Sequence, residues 1–405
     1  MDSAEREGLR PKGNVPNLRF PEFQGEWKEE RLADIADLYK GTGISKDQLS
    51  DDGEPCILYG ELYTKYKSET IREVISKTNI DNTKLVRSKA NDVIIPCSGE
   101  TAEDIAIARC VLNGNILLGG DLNIIRLHGY DGAFMSYQLN GRRKYDIAKV
   151  AQGVSVVHLY GEHLKGVKTI NPCLEEQKKI GKLLSLLDER IATQNKIIED
   201  LKKLKSAIIE KHYSQVKKRT TCIADLGEPF SVGSLAKDDL TEIGSPCVIY
   251  GELFTTYGEI IFHIESCTNK TDGMILSKKG DLLFPSSTTV DAMSLIAPSV
   301  INVDGVVLGG DMFGIHISHN YNSQYLSYYF NHIAKKQLAK FAKGSTIIHL
   351  HYKDIEKAKL LLPSLEEQNR MAKCLVALDK KVSVEQNLLS SLSCQKSYLL
   401  QQMFI

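Results

Sequence analysis

The stretch EPCILYGELYTKY at 54–66 returns as SPCVIYGELFTTY at 245–257. The same displacement of 191 positions relates LADI at 32–35 to IADL at 223–226, and SKDQL at 45–49 to AKDDL at 236–240. It also relates QGVSVVHL at 152–159 to KGSTIIHL at 343–350, and PCLEEQ at 172–177 to PSLEEQ at 363–368. LGGD at 118–121 returns after 190, at 308–311. A period this long marks a duplicated domain and excludes a solenoid of short stacked repeats. Whatever one half folds into, the other half folds into as well.

Each copy has the same internal plan. Its first three quarters mix short β-branched runs with turn residues. DVIIP at 92–96, NILLGGDLNIIRLHG at 115–129, DLLFP at 281–285 and VVLGGDMFGIHIS at 306–318 read as strands ended by Gly, Pro or Asp. The segment 323–344 reads as helical and closes on Gly344. The fold class expected is α/β (α+β), a globular domain plus a long helix, written twice. The boundaries expected are a disordered tail at 1–17, a first domain at 18–172, a long helix at 173–216, a second domain at 217–363 and a C-terminal long helix at 364–405.

The two helices follow from apolar spacing. Ile180, Leu184, Leu187, Ile191, Gln194, Ile198 and Leu201 recur at alternating steps of four and three, as do Met371, Leu375, Leu378, Val382, Glu385, Leu389 and Leu392. This is a coiled-coil seam with a polar interruption in the same slot of both copies. A ~40-residue helix is ~60 Å long, too long to lie on a domain of this size. The short connection after the first helix puts the second domain at its far end. The second helix can then pack on the first only by running back antiparallel. Two domains joined by a two-helix strut with pseudo-twofold symmetry suit a bipartite target such as duplex DNA.

The order of domain, P-x-L-E-E-Q helix, domain, P-x-L-E-E-Q helix resembles the specificity subunit of type I restriction–modification systems. The opening LRFPEFQGEWKEERLADI at 18–35 and the paired QG-S-HL and KG-S-HL segments are similar to that family too. The resemblance runs from about Leu18 to Ile405. It implies that each domain is a target recognition domain reading one half of a split DNA site. It implies that the helices set the half-site spacing and dock two modification (methyltransferase) subunits, which carry S-adenosylmethionine and methylate adenine. It further implies restriction subunits that use ATP and Mg²⁺ to translocate and cut. An assembly scaffold that binds proteins and not bases is the alternative, kept open by a formal net charge of zero.

Other classes are excluded or disfavoured. No apolar run approaches the ~18 residues of a membrane span, and the polar N-terminus has no secretory core. Nine Cys without a CxxC pair fit reduced thiols and a cytoplasmic location. No catalytic residue, cofactor site or metal site is expected in this chain. NPCL at 171–174 is faintly like the NPP-aromatic motif of adenine methyltransferases, but it lacks the aromatic, and its copy reads LPSL. No GxxxxGK[ST] loop is present, and HISH and HLH lack metal-ligand spacing.

DNA contacts are expected from hydroxyl, basic and aromatic groups on loops and helix ends. The first loop offers Tyr39, Lys40, Thr42, Ser45 and Lys46, aligned with Ser231, Ser234 and Lys237. The second offers Ser98 and Thr101, aligned with Ser286, Ser287 and Thr288; the third offers Ser155, aligned with Lys343, Ser345 and Thr346. Arg142, Arg143 and Lys144 correspond to Lys335 and Lys336 as a phosphate footprint. Tyr63, Lys65 and Tyr66, with Thr256 and Tyr257, either pack a core or face DNA.

Overall fold

The computed structural model describes residues 13–81, 83–153 and 155–405. Of the polar stretch 1–17, residues 1–12 lie outside the described residues. Residues 13–17 are tied to the fold: the Trp27 amide donates to Asn14 O (2.8 Å) and Asn17 Nδ2 donates to Gln402 Oε1 (3.1 Å). The chain divides into two compact units. One comprises residues up to Lys196 with Asn387–Ile405, the other Ile197–Gln386. Each unit therefore owns a domain, the start of one long helix and the end of the other.

In the first unit a five-stranded mixed sheet takes Ala36–Lys40, Leu122–Leu127, Asp92–Pro96, Arg109–Val111 and Thr70–Ile71 in that spatial order. A second takes Leu49–Ser50, Ser76–Thr78, Glu54–Ile57, Leu117–Leu118 and Val86–Arg87. Asp92–Pro96 is a central strand buried throughout, which is why its apolar residues are continuous and not alternating. The second unit repeats both sheets. One has Gly227–Ser231, Met312–Ile317, Leu282–Pro285, Ser299–Ile301 and Ile260–Ile261; the other has Leu240–Thr241, Ser266–Thr268, Ser245–Ile249, Val307–Gly309 and Ile275–Leu276.

The phrase that is written twice is a strand stapled to a single helical turn. Cys56 and Cys247 are wholly buried in Glu54–Ile57 and Ser245–Ile249. Glu61 and Glu252 open the turns Glu61–Thr64 and Glu252–Thr255 and are themselves buried. One carboxylate oxygen accepts from the Leu58 or Ile249 amide, each at 3.0 Å; the other accepts from the Ser76 or Ser266 hydroxyl. A buried carboxylate is tolerated because its lone pairs are satisfied.

The long helices span Leu174–Gln215 and Leu365–Gln402. Every seam position named above is buried or half-buried, Gln194 and Glu385 included. In the first unit Ile180 and Leu184 share an apolar cluster with Met403 and Phe404, and Asp188 is 2.6 Å from Lys396 Nζ. In the second, Ile209 packs with Met371 and Leu375, and Lys205 Nζ is 2.9 Å from Asp379. Residue numbers rise on one helix as they fall on the other, so the packed segments are antiparallel within each unit.

The duplicated LEEQ has a physical reason. Gln177 donates to Pro172 O (2.8 Å) and accepts from the Asp131 amide (2.9 Å); Gln368 donates to Pro363 O (2.9 Å) and accepts from the Asn322 amide (2.9 Å). Asp131 and Asn322 cap the helices Gly132–Asn140 and Ser323–His332. One buried amide thus locks each long helix to its domain. The glutamate before it finds a partner: Glu176 takes Arg19 Nε and an Nη at 2.7 Å each, and Glu367 lies 3.1 Å from His212 Nε2 and 2.6 Å from Arg370.

A buried charge cluster also recurs. Lys396 Nζ reaches Glu69 (2.7 Å) and Asp188 (2.6 Å), and the Tyr137 hydroxyl donates to Asp188 (2.7 Å). Lys205 Nζ reaches Glu259 and Asp379 (2.9 Å each), and Tyr328 donates to Asp379. Burial lowers both ammonium pKa values, but the carboxylates outweigh it and hold them above the usual lysine range. The copies differ at the domain carboxylate. Burial raises Glu69, and neighbouring Asp188 adds to that against the pull of Lys396. Burial would raise Glu259 too, but His332, 2.9 Å away, and Lys205 bring it down to about 2.

Candidate nucleic-acid interface

The loops singled out in the sequence are brought together by the LGGD turns. In the first unit Thr42 N donates to Leu118 O (3.2 Å) and Gly120 N to Gly43 O (2.6 Å), which ties the first loop to the turn. Asp121 O accepts from Cys97 N (2.7 Å), and Cys97 O accepts from Leu159 N (2.9 Å), which ties in the second and third loops. The second unit repeats this relay. Gly310 N donates to Gly233 O (3.0 Å), Ser286 N to Asp311 O (2.7 Å) and Leu350 N to Ser286 O (2.9 Å).

The second and third loops pair as a short antiparallel ribbon, Ser98–Gly99 with Val157–His158 and Ser287–Thr288 with Ile348–His349. The single-turn helices Ala102–Ile105 and Ala292–Leu295 lie against these ribbons. They also touch the basic segments, at Lys144–Val150 in the first unit and Ala339–Phe341 in the second. Each unit thus gathers four chain segments at one place.

Exposed candidates at these clusters are Thr42, Ser45, Lys46, Thr101 and Ser155 in the first unit, and Ser231, Ser234, Lys237, Lys336, Lys343, Ser345 and Thr346 in the second. Tyr39 is exposed, with the Arg126 guanidinium 4.8 Å from its ring centre. Lys40 Nζ lies 3.9 Å from Asp121. Ser98, Lys144, Thr288 and Lys335 are half-buried.

Several candidates do other work. Tyr66 is a core residue whose hydroxyl accepts from Ile75 N (3.2 Å), and the half-buried Tyr257 makes the same bond with Glu265 N (3.0 Å). Tyr63 donates to Ser98 O (2.9 Å), so it supports the second loop from behind. Lys65 pairs with Glu61 and Ser76, while Thr256 is exposed beside Thr255. Ser286 and Ser287 are buried, which removes their side chains from any surface. Arg142 donates to Gln401 O (2.7 Å) and Arg143 to Ile405 O (3.4 Å). These bonds tie both arginines to the end of the second long helix, with Arg142 exposed and Arg143 half-buried.

Among the described residues no group of three His, Cys, Asp or Glu is placed to hold a metal ion, and no helix is long and apolar enough to cross a membrane. The model of the family described as type I restriction modification DNA specificity domain matches residues 24–203 and 222–393, and the chain belongs to that family. It is 24% identical over 394 residues to the type I restriction enzyme MjaVIII specificity subunit of Methanocaldococcus jannaschii, covering 91% of this chain and 89% of the other. The fold is similar to the crystal structure of the type I restriction–modification S subunit from M. genitalium (TM-score 0.67, 18% identity, 96% and 99% of the two chains). It is also similar to a chain from a study of complex assembly and conformational transition in a type I system (TM-score 0.52, 15% identity, 93% and 97%). The family defines a DNA-recognition role within a restriction–modification system and disfavours a scaffold that reads no DNA.

Proposed function

We propose that each unit reads one half of a bipartite DNA site through its four-segment loop cluster. The observation that carries this is that one cluster is built twice on three matching backbone ties while its exposed side chains differ. Tyr39, Lys40 and Thr42 in one copy stand where Phe230, Ser231 and Gly233 lie near the equivalent turn in the other. Equal scaffolds with unequal surfaces suit two readers of different sequences. The paired helices set the spacing and dock two modification subunits. Those subunits bind S-adenosylmethionine and methylate adenine, and restriction subunits supply ATP- and Mg²⁺-dependent cutting. This chain is non-catalytic and cytoplasmic.

The test exchanges 230–359 for the matching segment of another such subunit and maps methylated adenines in cells carrying the hybrid. One half of the recognised site changes and the other is retained. A change in both halves, or in neither, would falsify independent reading.

A further inference from the structure

In each unit the third loop ends in a turn that only glycine makes. Gly153 has φ +125°, and a Cβ there would lie 2.1 Å from Val156 O; Gly344 has φ +118°, and its Cβ would lie 2.0 Å from Ile347 O. The turns pair Gln152 with His158 and Lys343 with His349. Beyond them the side chains alternate, as a strand dictates. Val157 and Leu159 in one copy, Ile348 and Leu350 in the other, take the inner positions. Val156 and Tyr160 take the outer face, as do Ile347, His349 and His351, while His158 on the same face is half-buried with its Nδ1 3.3 Å from Ser98 Oγ. Val156 is 53% exposed and Ile347 49%. In both copies the two rings that follow are stacked with centroids 6.0 Å apart and planes at 18°.

Two features identify the partner. A β-branched side chain is exposed at the same position twice, beside a glycine-only turn. Its exposed neighbours are an amide, hydroxyls, a lysine and an imidazole (Gln152, Ser155, Lys343, Ser345, Thr346 and His349), a set that suits phosphates and base edges better than a protein hot spot. A two-stranded ribbon fits the major groove, about 12 Å wide, where the thymine methyl is the apolar group on the base edges.

We propose that these outer faces are base-reading edges. Val156 and Ile347 each rest on a thymine methyl in the major groove. The rings behind them, His158 with Tyr160 and His349 with His351, set the preference at the adjoining pair. This rests on the DNA-reading function above and names residues that carry it.

The test uses the full chain with its modification subunits. Selection from a random duplex library first gives the two half-sites. Each thymine of the half read by the second unit is then replaced by uracil, which removes only the methyl. One replacement weakens wild-type binding roughly tenfold, the scale of a single lost base contact. Ile347→Ala loses about the same and is indifferent to that uracil. His351→Tyr, which gives the second unit the ring found in the first, shifts base preference in that half alone. Both substitutions lie on the surface, so melting temperatures stay at the wild-type value. Additive losses from uracil and Ile347→Ala, a half-site with no thymine on either strand, or unchanged preference in His351→Tyr would overturn the ribbon edge. In all three cases the selected bipartite site still stands. A wild-type complex that selects no sequence would instead overturn the DNA-reading function, and the edge with it.

Discussion

Lys205 and Lys396 continue the seam spacing of the long helices, where an aliphatic residue is the usual occupant. Each is there because two carboxylates wait for it. Removing Lys205 leaves two half-buried carboxylates short of charge, with only His332 on Glu259 and the Tyr328 hydroxyl on Asp379, which costs more than the intact pair contributes. Lys205→Met should destabilise the second unit by about 3–5 kcal/mol, read as a lower urea midpoint. Adding Glu259→Gln and Asp379→Asn should restore much of it. A second expectation concerns acid. Glu259 falls from its ordinary 4.5 to about 2 in the folded chain. The stability it contributes is present above pH ~4.5 and is lost as pH falls toward 2, to the extent of about 3 kcal/mol. Glu69 is raised, so its sign is opposite: acidification relieves it. Hydrogen exchange from about pH 5 to 3 should therefore loosen the second unit before the first, and Glu259→Gln should narrow the difference to the share that Glu69 contributes. The contrast follows from His332, whose counterpart is Gly141. The seam lysines were legible in the sequence as positions; their partners were not, because Glu69 and Glu259 sit in segments with no periodicity.

At the scale of elements, the long helices, the central strands and the repeated strand-and-turn phrase are legible because periodicity or repetition marks them. The two-residue strands, such as Thr70–Ile71 and Val86–Arg87, are not, since two residues carry no period. The carbonyls that Arg142 and Arg143 bind lie some 260 residues away in sequence, beyond any local pattern in the basic run at 141–145. The loop ribbons were equally hidden, although the loops that form them were marked by glycine and hydroxyls. The helix starts show what a repeated motif can mean. Gln177 and Gln368 are both almost fully buried, and each joins a proline carbonyl to the first amide of a neighbouring helix cap. Gln368→Ala should cost about 1–3 kcal/mol through two orphaned backbone groups. Gln368→Glu should be no better, because a carboxylate cannot donate to Pro363 O. Chemical denaturation followed by the near-ultraviolet signal of the surrounding tyrosines would measure both. A wild-type midpoint for Gln368→Ala would mean that water replaces the amide at no cost.

For the molecule as a whole, the proposed function writes spacing and reading in different parts of the chain. The loop clusters belong to the domains; the distance between what they read is proposed to belong to the helices. Insertion of four residues after Gln194, with four more after Glu385, separates these properties. Four residues are slightly more than one turn and add about 6 Å. The apolar seam beyond the insertion returns to nearly its former face, as a stutter does in a coiled coil. Lys205 and Lys396 then keep their own domain carboxylates, because each insertion falls outside the segments that pair within a unit. DNA rises about 3.4 Å per base pair. The spacer between half-sites should therefore lengthen by one or two pairs while both half-sites keep their sequence. Mapping methylated adenines in cells carrying the insertions reads spacer and half-sites together. A longer spacer with altered half-sites would mean that the helices help shape the reading loops. Full methylation at the original spacing would mean that the helices do not set the distance, and the division of labour argued here would fail.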